Sequence, residues 1–201
     1  MNAESALALA TFALATSITP GPNNLMLMSS GARFGLRRTP PHLLGVALGF
    51  AFMLMLVGMG VSELLQRAPL LADAVRLACL IALLGFAWKM VATPSAAIDG
   101  EASPETAPLT FLQAAAFQWI NPKAWAMALT AVAVYAPASD LLAVAAVAAV
   151  FGAVNLPSTG LWAMLGREVR GVLRGPRRRR AFDWGMAGLL LASSVPMVVA
   201  G

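Results

Sequence analysis

A Pro-Gly-Pro-Asn-Asn sequence at residues 20–24 lies inside the first long apolar run of the chain. Proline has no backbone N–H and clashes with the preceding turn, so Pro20 and Pro22 predict the end of a helix here. Gly21 permits the backbone angles that such a break requires. In a lipid bilayer, the backbone groups that a break releases must be satisfied by protein or by a water-filled cavity. The motif therefore indicates a solute site inside a membrane protein.

The composition of the chain also indicates a membrane protein. Of its 201 residues, 59% are apolar and 11% are charged, whereas a soluble domain has about 25% charged residues. Several apolar runs reach the roughly 20 residues that a membrane-spanning helix needs. A very apolar soluble helical bundle is the alternative. We expect no cleavable signal peptide, because the N-terminus carries Glu4 and no basic residue.

The order of apolar runs predicts an all-α, polytopic fold with six membrane-spanning segments, of which the first and fourth are interrupted. Their predicted ranges are 4–30, 42–65, 72–91, 109–135, 141–165 and 181–200. Residues 93–108, rich in proline, alanine and acidic side chains, form a cytoplasmic linker within a single transporter domain, 1–201.

The linker separates two repeats of three helices each, residues 1–92 and 109–201. Because three is an odd number, the two repeats cross the membrane in opposite directions. Transporters with such inverted repeats bind their substrates at matching interrupted helices. A chance pairing of two proline breaks is the alternative, since proline is frequent in membrane helices.

The positive charges lie mostly on one side of the predicted topology. Loops one, three and five with their flanks carry eleven of the 14 Lys and Arg residues, and the opposite side carries two. The positive-inside rule therefore predicts that these loops lie in the cytoplasm and that both termini lie outside the membrane. Seven of the arginines lie between Arg167 and Arg180. Anionic lipid headgroups, and not nucleic acid, are the expected partners of this loop.

Two motifs resemble the lysine-exporter (LysE/RhtB) superfamily. The first is Pro-Gly-Pro-Asn at residues 20–23, followed by Ser29-Ser30, Gly35 and the glycines of 45–49; the second, about 100 residues later, is Asn121-Pro122-Lys123. The run from 19 to 50 is most similar to the cysteine/O-acetylserine exporter branch. The resemblance implies export of an amino acid or close derivative, driven by the proton gradient as an antiport. Residues 155–160 depart from the family pattern, because their sequence predicts a further interruption.

The predicted substrate-binding residues lie at the two interruptions and in segment five. They are Pro20, Gly21, Pro22, Asn23, Asn24, Gln118, Asn121, Pro122, Lys123, Asn155 and Ser158. Free N–H groups at the helix starts after each break favour a substrate carboxylate. Carbonyl groups released around Thr16, Ser17 and Trp119 favour its ammonium. Alternatively, the asparagines only cap the helices.

Lys123 is the cation predicted to lie within a segment, where a charge is costly unless it is paired. It either attracts the substrate carboxylate or anchors segment four at the membrane interface. Gly45 and Gly49 favour close helix packing, either within the chain or at a homodimer seam. The single His and single Cys provide no metal cluster, and no motif for a cofactor or a nucleophile–base pair is present, so we do not expect an enzyme.

The sequence thus predicts a transporter that exports small neutral amino acids or their derivatives by alternating access. Cysteine or O-acetylserine is the first candidate substrate, and homoserine or threonine is the second. Two other functions stay open at this point. One is a passive amino-acid channel or facilitator, and the other is a membrane scaffold subunit that transports nothing.

Overall fold

The computed structural model describes residues 2–92, 107–136, 140–173 and 175–199, which contain nine α-helices and no β-strand. In chain order the helices are α1 (Ala3–Ile18), α2 (Pro22–Phe34), α3 (Pro40–Leu56), α4 (Ser62–Arg67), α5 (Pro69–Ala92), α6 (Phe111–Phe117), α7 (Pro122–Tyr135), α8 (Leu141–Arg170) and α9 (Pro176–Val199). Short 3-10 turns occupy Leu36–Arg38 and Gln118–Ile120, and a π-helical turn, Val57–Val61, joins α3 to α4. Most of the predicted linker, 93–106, lies outside the described residues.

Local sequence explains most of the helix starts. Proline is the first residue of α2, α3, α5, α7 and α9, a position where its missing N–H has no partner to lose. The other long helices begin after side-chain caps. Asn2 accepts a hydrogen bond from the N–H of Ser5 before α1, and Asp140 accepts hydrogen bonds from two N–H groups of α8. These caps satisfy N–H groups that the first helical turn leaves free.

Four helical stretches are long and apolar enough to cross a membrane: Pro40–Arg67, Pro69–Ala92, Leu141–Arg170 and Pro176–Val199. They occupy the ranges predicted for segments two, three, five and six. Shorter helices, α1 with α2 and α6 with α7, occupy the ranges predicted for segments one and four. Large apolar side chains, including Leu48, Phe52 and Ile81, are exposed. Such a surface is suited to contact with lipid, as expected of a multi-pass membrane protein.

The interruption predicted at residues 155–160 is wrong, because α8 continues through Pro157. Pro157 is exposed on the outer side of the helix. The hydroxyl groups of the next two residues donate back into the helix: Ser158 to the carbonyl of Val154 and Thr159 to that of Asn155, each at 2.7 Å. The carbonyl that lacks its helical donor at Pro157 is that of Ala153, four residues earlier, so the hydroxyl bonds lie in the turn next to the proline and do not replace the missing N–H.

The arginine-rich region is more helical than the loop predicted from its charge. Arg167 and Arg170 lie in the last turns of α8, and Arg177 to Arg180 lie in the first turns of α9. Arginine is a good helix former, so both helices extend beyond their apolar parts. Residues 171–175 separate the two helices, and Arg174 among them lies outside the described residues.

Small residues allow two pairs of helices to approach closely. The backbone of Gly31 in α2 lies against the carbonyl of Ala163 in α8, and Gly166 in α8 lies against the carbonyl of Met28, so a methyl group has no room at either glycine. Gly45 and Gly49 of α3 lie in the same way against α6. These two glycines therefore pack within the chain, and a homodimer stays a prediction without support from them.

The two largest of three clusters of buried side chains in the described residues hold most of the helices together. The larger cluster joins α1, α3, α7 and α8 around Leu9, Phe50 and Phe151, and the smaller joins α2, α5 and α9 around Leu25 and Leu83. An ion pair lies beside the smaller cluster. Nη2 of Arg33 in α2 is 2.6 Å from Oδ1 of Asp183 in α9 and also donates to the carbonyl of Met90 in α5, at 2.8 Å. This arginine links the ends of three helices.

Candidate functional site

The chain between α1 and α2 is extended at Thr19 and Gly21, and Pro20 and Pro22 contribute no N–H. Without a continuing helix, the last carbonyls of α1 need other donors. Side chains provide all of them. Thr19 Oγ1 donates to the carbonyl of Thr16 at 3.0 Å, and Asn24 Nδ2 donates to those of Ser17 and Thr19, both at 2.8 Å. The indole Nε1 of Trp162 donates to the carbonyl of Ile18 at 3.0 Å.

A similar arrangement lies between α6 and α7. The 3-10 turn Gln118–Ile120 follows α6, and Asn121 is extended before Pro122 begins α7. The side chain of Asn121 caps α7 by accepting a hydrogen bond from the N–H of Lys123 at 3.1 Å. Trp125 Nε1 donates to the carbonyl of Trp119 at 2.9 Å. Here too, backbone groups at the helix end, namely the carbonyl of Trp119 and the N–H of Lys123, are bound within the protein.

These contacts bear on one expectation from the sequence, which was that the carbonyls of Thr16, Ser17 and Trp119 bind a substrate ammonium. Each of these carbonyls accepts a hydrogen bond from a side chain of the protein, and its second lone pair is left for a further donor. The physical reason is that buried carbonyls without partners are costly. The donors come from Asn24, Trp125 and the neighbouring Thr19, which the local sequence does not pair with these carbonyls.

The two breaks lie together in space, and side chains connect them. Asn23 Nδ2 donates to Gln118 Oε1 at 2.8 Å, and Gln118 Nε2 donates back to Asn23 Oδ1 at 3.2 Å. Lys123 Nζ reaches from the second break to the first, where it donates to the carbonyl and the hydroxyl of Thr19 at 2.7 and 2.9 Å and to the carbonyl of Pro20 at 3.3 Å.

Gly21 is the residue that allows Lys123 to reach the first break. A Cβ atom at position 21 would lie 2.6 Å from Cδ of Lys123 and 3.1 Å from its Nζ, and the first of these distances is shorter than real Cβ contacts. The φ angle of Gly21 is −179°, which any residue can adopt. The glycine is therefore required for space and not for its backbone conformation.

A small polar cavity lies between the two breaks and α8. Its volume of about 20 Å³ is enough for one water molecule. Six of the predicted residues line it: Gly21, Asn23, Asn24, Asn121, Lys123 and Asn155. Of the predicted residues that do not line it, Pro20, Pro22 and Pro122 shape the breaks, Gln118 holds Asn23, and the hydroxyl of Ser158 bonds within α8.

Four other residues that line the cavity were missed by the sequence analysis: Phe50, Ala124, Met127 and Thr159. Thr16 and Ser17 also line it, and they were expected at the site only through their carbonyls. The sequence contained a signal for Thr159, which shares one face of α8 with Asn155 and Trp162 by their spacing of four and three residues. That face is turned toward the first break, because Asn155 contacts Ser17 and Trp162 contacts Ile18.

The cavity has the chemistry of a site for a small charged molecule. Among the described residues that line it, Lys123 is the only one with a charge, and its present partners are neutral oxygens. Amide and hydroxyl groups form most of the remaining polar lining, and these can donate or accept hydrogen bonds. Within the described part of the chain, no cluster of His, Cys, Asp and Glu could hold a metal ion.

Comparison with known proteins identifies the family to which this chain is similar. The LysE type translocator family matches residues 14–200. The chain is 28% identical over 167 residues to proteins named cysteine/O-acetylserine efflux protein from Escherichia coli O1:K1, E. coli K12 and Shigella flexneri serotype 5b, with 82% of this chain and 83% of each relative covered. No solved structure matches the chain. Because the family match extends over nearly its whole length, the chain belongs to the LysE family of translocators.

Proposed function

We propose that this protein exports small neutral amino acids or their derivatives across the bacterial inner membrane by alternating access, coupled to the proton gradient. Cysteine and O-acetylserine are the first candidates, because the relatives are named for their efflux, and homoserine and threonine are the second. The observation that carries the proposal is the polar cavity between two helix breaks, across which Lys123 of one break binds the other.

In this proposal the chain crosses the membrane six times as two inverted repeats, 1–92 and 109–201. α1 with α2 forms one interrupted span, and α6 with α7 forms the other. Interrupted helices at corresponding positions surround the substrate in transporters with inverted repeats. The reciprocal amide bonds between Asn23 and Gln118 support this arrangement, because they join the two interruptions at one place. The charge distribution of the loops supports an orientation with both termini outside.

Lys123 is the residue that we assign to the substrate carboxylate. Its ammonium binds only neutral oxygens of Thr19 and Pro20, and a carboxylate is a stronger partner, because its negative charge adds Coulomb attraction to the hydrogen bond. The start of α7 adds partial positive charge next to the same position. A substrate whose carboxylate binds Lys123 would thereby break the contact of this lysine with Thr19 and Pro20, which joins the two breaks.

The size of the cavity favours alternating access over a passive channel. A volume of about 20 Å³ holds one water molecule and no amino acid, and a channel requires a continuous path. The bonds that must part for a substrate to enter are those of Lys123 with Thr19 and of Asn23 with Gln118. A carrier that opens to one side at a time exposes the site without forming a pore.

The test is transport by the purified full-length protein in lipid vesicles loaded with radiolabelled cysteine, O-acetylserine, homoserine, threonine or lysine. With an imposed pH gradient, we expect uphill movement of one or more of the neutral amino acids and none of lysine. Movement that only dissipates a concentration gradient would indicate a facilitator, and no movement of any amino acid would leave the scaffold alternative.

A matched pair of variants tests the assignment of Lys123. Lys123→Met should lower kcat/KM for export by about tenfold or more, because a hydrogen bond to a charged group contributes about 1.5–3 kcal/mol. Arg67→Met removes a cation whose side chain is 81% exposed, in an ion pair with Glu63, and should transport normally. Equal activity of the two variants would contradict the role of Lys123.

A further inference from the structure

Among the buried side-chain nitrogen and oxygen atoms of the described residues, only Oδ1 of Asn155 has no hydrogen-bond partner. Asn155 is 4% exposed, and its Nδ2 donates to Ser17 Oγ at 3.3 Å. Buried polar groups are nearly always paired, so an exception requires a functional reason or a bound molecule. Asn155 lines the cavity between the helix breaks, which places its unpaired oxygen at the proposed substrate site.

The competing backbone acceptors near this oxygen are already bound. Asn24 donates to the carbonyls of Ser17 and Thr19, and Lys123 donates to those of Thr19 and Pro20. The protein has thus matched the carbonyls at the end of α1 with its own donors and has left one buried amide oxygen beside them. An incoming donor finds at Asn155 a buried acceptor with no partner, whereas each of these carbonyls already accepts at least one hydrogen bond.

We propose that Oδ1 of Asn155 accepts a hydrogen bond from the α-ammonium of the substrate while the carboxylate of the same molecule pairs with Lys123. The inference rests on the proposed function and deepens it by naming the ligand class, which is α-amino acids with a free, protonated amino group. It makes Asn155 a residue that determines specificity.

The positions of the two side chains fit the two ends of such a molecule. Lys123 contacts Thr19 and Pro20, whereas Asn155 contacts Ser17, so the cation and the unpaired acceptor lie at neighbouring places along the end of α1. Lys123 repels the substrate ammonium and attracts the carboxylate, which fixes the direction in which the zwitterion lies. The ammonium is thereby directed toward the neutral oxygen of Asn155.

This geometry predicts discrimination between two isomers. O-acetylserine and N-acetylserine have the same atoms and the same carboxylate, but only the first has an ammonium group. A buried acceptor built for that group rejects a ligand that cannot supply it, because the acceptor then stays unpaired. The wild-type protein should therefore transport O-acetylserine and exclude its N-acetyl isomer. This comparison requires no variant and so does not depend on whether a variant folds.

Three variants of the full-length protein in lipid vesicles test the role of Asn155. Asn155→Leu removes the acceptor at similar volume, and Asn155→Asp keeps an acceptor and adds a negative charge. Ala153→Leu introduces the same leucine at an exposed position of the same helix. Initial export rates over a range of O-acetylserine concentrations give KM and kcat for each variant.

We expect Asn155→Leu to raise the KM for O-acetylserine by about tenfold or more and to reduce the preference over N-acetylserine. Asn155→Asp should retain binding, and Ala153→Leu should behave as wild type. The inference is overturned if the wild-type protein transports both isomers equally. It is also overturned if Asn155→Leu leaves the KM for O-acetylserine and the preference over N-acetylserine unchanged, because that result is expected when only a water molecule binds this oxygen. It is also overturned if Asn155→Asp loses binding as Asn155→Leu does, because the amide would then act as a donor to the carboxylate. A wild-type protein that moves no amino acid would instead contradict the proposed function itself.

Discussion

At the scale of single residues, Gly21 shows how a site can depend on an absent side chain. The space that a Cβ atom would need is filled by Cδ and Nζ of Lys123. Because the clash is with the flexible end of a lysine and not with backbone, the lysine can move aside. Such a movement would break its bonds to Thr19 and Pro20. Substitution at this glycine should therefore affect function more than folding.

We predict that Gly21→Ala reduces export severely while changing the free energy of unfolding by no more than about 1 kcal/mol. Gly85→Ala is the matched control, because no atom lies within 4 Å of a Cβ added in that helix. The control should transport normally and gain up to about 1 kcal/mol of stability from the higher helix propensity of alanine. Export from vesicles and thermal unfolding in detergent check both variants. Full activity of Gly21→Ala would show that Lys123 need not lie at the first break.

How much a sequence predicts at this scale depends on how local the chemistry is. A helix end before Pro20 and a helix start at Pro22 follow from the missing N–H groups of proline alone. The partners of the released carbonyls do not follow from local sequence, because Trp162 and Lys123 are more than one hundred residues along the chain from the carbonyls that they bind. Pairing over such distances is fixed by the tertiary fold, which local patterns do not specify.

At the scale of helices, neighbouring packing decides what a proline or an arginine does. Pro157 predicted a break, yet α8 continues through it, with the proline exposed on the helix surface. The arginines at 177–180 predicted a loop, yet they form the start of α9. In both cases the prediction used the general preference of the residue type, but the sequence does not show where on a helix surface that residue lies.

The ion pair of Arg33 and Asp183 yields a prediction about the packing of α2 on α9. Its side chains are 15% and 7% exposed, and removing one partner of a buried pair costs about 3–5 kcal/mol. Arg33→Met or Asp183→Leu alone should therefore lower the unfolding temperature strongly, while the double variant should be less destabilised than the sum of the two. A double-mutant cycle by thermal unfolding measures the difference, which we expect at about 0.5–3 kcal/mol.

The exposed pair of Arg67 and Glu63 provides the control for this cycle. Its side chains are 81% and 60% exposed, in an i,i+4 arrangement on α4. Pairs of this kind contribute about 0.3–0.5 kcal/mol. A coupling energy for Arg33 and Asp183 no larger than that of this surface pair would mean that the buried ion pair does not hold the helices together.

At the scale of the whole molecule, the proposed topology can be tested with the single cysteine of the chain. Cys79 is buried, so a Cys79→Ser protein gives a background without thiols. One cysteine is then introduced at Leu70, near the start of α5, or at Arg178, in the first turn of α9. With a membrane-impermeant maleimide added to intact cells from which the outer membrane has been removed, we expect labelling of Leu70→Cys only. Arg178→Cys should be labelled after the cells are opened, and the reverse result would place the termini in the cytoplasm.

The hydrogen bonds at the end of α1 also bear on the return step of the transport cycle. For every molecule released outside, the carrier must return with its site vacant. Here Asn24, Trp162 and Lys123 already satisfy the carbonyls that the helix end leaves over, so the break keeps its backbone hydrogen bonds when no substrate is bound. In the proposed antiport, the return step can therefore take place without substrate and carry the proton inward.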